Sequence, residues 1–343
     1  MEALIKPFLY RLASIAGLLL SVLVLNFLLI QAAPGDPASV IVGEMGGASE
    51  EVLAKIRARY GLDRPVPVQL MIYLGHIATG DFGHSYYFQR PVLELILMRL
   101  PPTILLVATS ILVAVVVGTL LGIFSARRPK GILSHVVTIF SLAGYSAPVF
   151  WTGLMLLILF SSIVPIFPVS GMSNIRGSGG PLGYALDVAH HLVLPSLTLA
   201  SIYIALYSRL ARASMLDVLG SDYIRTARAK GLSERRVVFG HAVRNGLIPI
   251  VTMVGLQMGQ ILAGAVLVET VYNWPGLGRL AYESILRRDY PTLLGILFFS
   301  AVLVVVANIL TDLAYRRIDP RIGGSAGRRA GKPKAVSRTG AAS

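Results

Sequence analysis

Few residues in this chain are placed to do chemistry, and their spacing argues against catalysis. Gly331 and Lys332 come nearest to a phosphate-cradling loop of the form G-x-x-x-x-G-K-[ST], but Ala326 stands at the first glycine position and Pro333 follows the lysine. His190 and His191 form the nearest titratable pair. With no acidic or thiol companion at ligand spacing, a structural role at a helix end outweighs metal binding. The absence of cysteine excludes disulfides, thiolate metal sites and cysteine nucleophiles. No Asp, Glu, Lys or Arg lies at mid-depth in the long apolar windows, where an ion-coupled carrier keeps its costly buried charge. The polar or helix-bending candidates inside those windows are Tyr145, Ser146 and Pro148, then Tyr203 and Tyr207, then Gln257 and Gln260, with Glu269 near a window's end. Ordinary helix packing explains Ser and Tyr about as well as a polar passage does. The glutamines are stronger candidates, because an unpaired amide in hydrocarbon is costly. No catalytic residue, metal site or cofactor site is expected in this chain.

One charged segment stands apart. Eight Lys and Arg fall between Arg209 and Arg244. Leu216 to Ala229 can form a short helix, Gly231 can supply the left-handed turn that ends it, and Ser233 with Glu234 can begin another. A solvated basic face accounts for the charge but not for an ordered corner carrying the small residues Ala227, Ala229 and Gly231. The segment therefore reads as a knob on which another protein docks.

The elements that must carry these residues follow from composition. The chain has 343 residues, 55% apolar and 14% charged, a balance outside the range of ordinary soluble domains. Six windows are each long enough to cross a bilayer: Leu12 to Gly35, Leu100 to Ala126, Gly131 to Ile175, Val188 to Ser208, Asn245 to Val268 and Tyr290 to Thr311. The third is too long for one helix and is expected to hold it at His135 to Val164, before Pro165, Pro168 and a Gly/Ser-rich loop. The first could be a secretory signal, but its length and the rigid Pro34-Gly35-Asp36-Pro37 exit favour a retained helix. With the N-terminus in the cytoplasm, 21 of the 31 Lys and Arg fall inside and 10 outside, six of the latter in one long loop where the positive-inside rule is weakest. Both termini are therefore expected in the cytoplasm. In the long outer loop, about residues 36–99, Ser49 with Glu50 and Glu51 can cap a helix ending at Gly61. Val68 to Ala78 is expected at the outer interface, before a turn at Gly80-Asp81-Phe82-Gly83. Residues 1–11 read as a cytoplasmic start, 12–317 as the membrane domain and 318–343 as a disordered basic tail.

The stretch Asp222-Tyr223-Ile224-Arg225-Thr226-Ala227-Arg228-Ala229-Lys230-Gly231-Leu232, continuing through His241-Ala242-Val243-Arg244-Asn245 to Pro249, resembles the cytoplasmic loop of dipeptide and oligopeptide ABC importer permeases. In the wider superfamily this loop carries the EAA motif, whose coupling helix fits a cleft on the ATPase subunit. Aligned on Gly231, E-A-A falls on Arg225, Thr226 and Ala227, so only the second alanine and the glycine are retained, a departure typical of the peptide branch. Similar stretches run along nearly the whole chain: Tyr60-Gly61-Leu62-Asp63, Gly80-Asp81-Phe82-Gly83 with Ser85, Arg99-Leu100-Pro101 with Thr103, Asn273-Trp274-Pro275-Gly276-Leu277-Gly278, and Asp289-Tyr290-Pro291.

The resemblance implies an all-α integral membrane protein of the six-helix type I importer fold in a bacterial cytoplasmic membrane. It implies a second homologous permease, two ATP-binding subunits holding ATP and Mg, and an extracytoplasmic substrate-binding protein; nucleic acid has no place in it. Coupling to the ATPase would fall on Ala227, Gly231 and Leu232, with Arg225, Thr226, Arg228 and Lys230 as polar contacts. Tyr145, Ser146, Tyr203, Tyr207, Gln257 and Gln260 would serve the passage, and Glu269 would either meet a peptide amine or sit in water. Related systems move nickel, glutathione, opines or oligosaccharides, and a secondary carrier ranks well below the importer.

Overall fold

The computed structural model describes residues 2–32, 63–85, 87–174 and 179–318. The expected exit turn at Pro34 to Pro37, the capped helix at Ser49 to Gly61 and the basic tail lie outside them.

The described chain is helical apart from one short hairpin. Helix α1 (Glu2–Gln31) stands beside α2 (Val66–Ala78), where Phe27 stacks on Tyr73 and Gln31 donates to Gln69 at 2.7 Å. The expected turn then forms, with Gly80 and Gly83 at φ +79° and +82° and the Gly83 N–H bonded to Asp81 Oδ1 at 2.9 Å. The two-residue strands β1 (His84–Ser85) and β2 (Arg90–Pro91) pair antiparallel and lead into α3 (Val92–Arg127).

Helix α4 (Ile132–Ser146) and α5 (Val149–Leu157) follow, the latter ending in a π-helical turn over Ile158–Ile163. Helix α6 (Pro181–Leu219) is 39 residues long, about 58 Å at 1.5 Å per residue, so it outruns a hydrocarbon core of about 30 Å. The surplus leads into the knob: α7 (Asp222–Ala229), α8 (Glu234–Arg236), a second π turn (Val237–Ala242) and α9 (Val243–Gly246). The chain finishes with α10 (Ile248–Val271), α11 (Leu277–Arg287) and α12 (Tyr290–Ile318).

The pair α3 and α6 forms the spine. Gly118 faces Tyr207 and Gly122 faces Ala211, so the two helices run parallel, and glycine is required at both contacts. A Cβ on Gly118 would lie 2.8 Å from Tyr207 Cβ, and one on Gly122 2.5 Å from Ala211 Cβ. Around this crossing Leu106, Ala114, Leu199, Tyr203, Tyr207, Ile250, Tyr272 and Trp274 make the main core. Helix α4 joins α6 through Ser141 Oγ to Ser208 Oγ at 2.9 Å, and one turn further through Arg212 Nη1 donating to Thr138 Oγ1 at 3.1 Å.

Several expected boundaries shift. Among the described residues five helices are long and apolar enough to cross a membrane, against six expected windows. Four expected windows hold such a helix, the fifth only overlaps one that runs over Glu234–Gly255, and the third holds none: the expected helix over His135 to Val164 is broken at Ala147-Pro148, because proline lacks an N–H and disfavours helix at the residue before it. The expected helix over Leu216 to Ala229 is likewise two, split at Gly220 and Ser221, with α6 supplying the first part. Helix does begin at Glu234, but it reaches α10 only through the π turn and a further break at Leu247.

Candidate functional site

The knob is built on the end of the α3–α6 spine. Ile224 and Ala227, three residues apart on α7, are buried against Ile123 and Ala126 of α3, Met215 of α6 and Val237, Val238 and Ala242 of the π turn. Gly246 backs this packing, since a Cβ there would meet Met215 Sδ at 2.7 Å. Ala227 therefore packs inward, and the expectation that it faces a partner is corrected: the 3.6-residue period places it on the same side as Ile224. Leu232 also joins the inner cluster as a half-buried member.

The outward face is polar. Arg225, Thr226, Arg228, Lys230 and Gly231 are exposed. Arg225 pairs with Asp222 at 3.3 Å, and Arg228 grips Glu234 across the corner at 2.7 and 3.5 Å. Gly231 turns the corner at φ +77° with its N–H on Arg228 O at 2.9 Å, and no atom stands where a Cβ would go. Its requirement is thus purely conformational. Asn245 Nδ2 donates to the Tyr223 hydroxyl at 2.8 Å, tying the returning chain to α7.

The opposite end of the bundle holds a buried lock that sequence reasoning missed. Glu269 is 0% exposed. Its Oε1 accepts from Thr103 Oγ1 at 2.6 Å, and its carboxylate accepts from the backbone N–H groups of Gly278 and Arg279, the latter at 3.0 Å. Thr103 Oγ1 in turn accepts the Leu277 N–H at 2.7 Å. The first three N–H groups of α11 are therefore satisfied by two side chains from α3 and α10, a helix cap delivered from outside the helix. Gly276 and Gly278 make room, since a Cβ at either would strike the carboxylate. Trp274, fully buried, completes the lock through Nε1 to Pro102 O at 2.9 Å. Glu269 is accordingly neither in water nor open to a peptide amine, and both readings of it are corrected. The signal lay in the pairing of Thr103 and Glu269 with the Trp-Pro-Gly-Leu-Gly run, but nothing local links positions 166 residues apart.

A second carboxylate is buried as well. Asp289 caps α12, accepting from Thr292 Oγ1 and from Ser85 Oγ, each at 2.6 Å, which joins the Gly80–Ser85 turn to Asp289-Tyr290-Pro291.

Tyr203 and Tyr207 are buried in the main core, in agreement with helix packing rather than an open passage within this chain. Ser146 is exposed at the break between α4 and α5. Gln257 is half-buried on α10, and its Oε1 has no hydrogen-bond partner among the described residues. Tyr145 lies on the last turn of α4 and Gln260 on α10; their side chains are outside the described set. His191 does have an acidic companion that sequence reading did not assign: Asp187 Oδ1, one turn earlier, at 3.3 Å. Asp187 is also held by Asn174 through N and Nδ2 at 2.6 Å each, and His190 meets Ile166 O at 2.9 Å. Among the described residues no group of three His, Cys, Asp or Glu gathers to hold a metal.

Residues 118–324 match the family described as "Binding-protein-dependent transport system inner membrane component", and residues 4–107 match its N-terminal counterpart. The oligopeptide transport system permease protein AppB of Bacillus subtilis is 40% identical over 307 residues, 89% of this chain and 95% of that one. The di/tripeptide transport system permease protein DppB of Pseudomonas aeruginosa is 40% identical over 326 residues, 91% of this chain and 97% of that one. Among solved structures, an inward-facing form of the MetNI methionine ABC transporter aligns with TM-score 0.52 at 16% identity, covering 66% of this chain and 97% of that one, which supports the fold. With matches at this identity along nearly its whole length, the chain belongs to the binding-protein-dependent transport system inner membrane components, the permease subunits of ABC importers.

Proposed function

We propose that this chain is one permease of an ATP-driven importer of di- or oligopeptides, crossing the membrane six times with both termini in the cytoplasm. The six crossings are α1, α3, the broken pair α4–α5, α6, α10 and α12. The knob then lies in the cytoplasm, and the lock around Glu269 lies outside. Its partners are a second, homologous permease, two ATPase subunits that hold ATP and Mg, and an extracytoplasmic binding protein that delivers substrate. The peptide assignment draws on the names of the relatives, and the cytoplasmic face on the charge bias.

The observation that carries the coupling role is the knob's construction. Its apolar side is fixed to the ends of α3 and α6, while Arg225, Thr226, Arg228, Lys230 and Gly231 face outward. Closure of the ATPase pair would push on α7, and the rigid α3–α6 spine would carry that displacement along the bundle. Arg212 and Ser208 would pass it to α4, next to the break at Pro148. Such a step is mechanical and needs no reacting group in this chain. The exposed Ser146 and the unpartnered Gln257 remain the candidates for the passage formed with the second permease, with Tyr145 and Gln260 beside them in sequence.

The test is subunit composition. Purified from its native host in mild detergent through an N-terminal tag, the protein should bring down one related permease and two nucleotide-binding subunits, identified by mass spectrometry. A stable homo-oligomer without an ATPase would overturn the importer assignment.

A further inference from the structure

At the end of the bundle opposite the knob, the start of α3, the start of α6 and the α10–α11 loop enclose a cleft of about 610 Å³. That is within the range of about 300–1,000 Å³ usual for small-molecule sites. Its walls are mainly apolar, with Leu95, Met98, Pro101, Met172 and Pro275 among them, and Tyr184 stands half exposed at the rim. Two guanidinium groups reach it, and they differ. Arg90 is engaged, with Nη1 3.2 Å from Glu94 Oε1 and 3.4 Å from Met98 Sδ. Arg99 is half-buried, and its guanidinium makes no hydrogen bond or ion pair among the described residues. The buried carboxylate of Glu269 feels the charge of Arg99, while its hydrogen bonds go to Thr103, Gly278 and Arg279.

We infer that this cleft is a subsite for the C-terminal carboxylate of a short peptide with an apolar last side chain, and that Arg99 is its anion contact. The assignment rests on the peptide-importer reading and places a recognition step within the permease itself. A guanidinium whose N–H groups make no hydrogen bond among the described residues, set between apolar walls, can meet a carboxylate through two parallel N–H bonds. A peptide amine meets no carboxylate among the residues that line the cleft. The floor is preorganised: Pro102 is held to Trp274, and Pro275 follows it in the locked loop, so little ordering accompanies binding.

The test uses the complete importer, without its binding protein, in nanodiscs of phosphatidylcholine, with tritiated trileucine, its C-terminal amide and oleate as probes. The free acid should bind about tenfold more tightly than the amide. Arg99→Gln should abolish that preference, Arg99→Lys should restore part of it, and Met172→Trp, from a different wall, should weaken acid and amide together. Equal affinity for acid and amide in the wild type, or a preference that survives Arg99→Gln, overturns the proposal. Displacement by oleate as effective as by peptide acid also overturns it, in favour of a lipid-chain site. ATP-driven peptide uptake with the binding protein restored is scored separately: uptake without the acid preference sinks only the cleft, whereas its absence sinks the importer reading.

Discussion

The carboxylate of Glu269 is fully buried, yet its neighbours all donate to it, so its removal strands three polar groups at once. Glu269→Gln keeps the shape but turns an N–H₂ towards donors. Each buried donor left unsatisfied costs about 1–3 kcal/mol, so the variant should unfold at lower temperature, and Glu269→Ala lower still. Gly276→Ala should reproduce the loss, because its Cβ strikes the same carboxylate. Thermal unfolding followed by size-exclusion chromatography of the solubilised protein measures all three, and wild-type stability in Glu269→Ala would refute the lock. Gly231 tests the other end. Holding a β-branched side chain in its left-handed conformation costs roughly 1–2 kcal/mol, whereas Asn tolerates it. Gly231→Val should therefore lower peptide uptake per ATP hydrolysed, and Gly231→Asn should stay near wild type. Equal ratios in both variants would remove the corner from the coupling path. Gly231 was readable in the sequence because a glycine closing a short basic helix is a local signal. Glu269 was not, because its partners come from α3 and α11.

At the scale of elements, the parallel α3–α6 crossing is the feature on which both ends depend. Gly118 and Gly122 are four residues apart and let the backbones meet, as small residues do between helices in lipid. Gly122→Leu should force the pair apart at a cost of roughly 1–3 kcal/mol and loosen the knob built on its end. Faster proteolysis between Arg225 and Arg236, with ATPase partners lost from the purified complex, is the expected result; an intact complex of normal stability would count against the spine. The apolar windows were visible in composition alone. Their breaks were less so: Pro148 was read as a bend, but it separates two helices, and Gly220 ends α6 inside a stretch whose side chains favour helix. Propensity averages over a window, whereas one missing N–H or one glycine decides a boundary.

For the whole molecule, the absence of cysteine makes orientation directly measurable. A single cysteine at Asp63→Cys should react with a membrane-impermeant maleimide on intact spheroplasts, and one at Thr226→Cys should react only after lysis. The reverse pattern would invert the proposed topology. The sequence by itself determined the solvent of this protein, the rough extent of most of its apolar windows, its charge bias and the place of the knob along the chain. These depend on composition and on short-range pattern, which the bilayer reads segment by segment. Only the tertiary structure decided that Ala227 faces inward, that Tyr203 and Tyr207 belong to the core, and that Thr103, Glu269 and Trp274 close one lock. It alone placed the Arg99 guanidinium, with no hydrogen bond or ion pair among the described residues, at the wall of a cleft. Those outcomes turn on which buried groups meet across helices distant in sequence, and a buried polar group is satisfied or stranded only once the helices have packed.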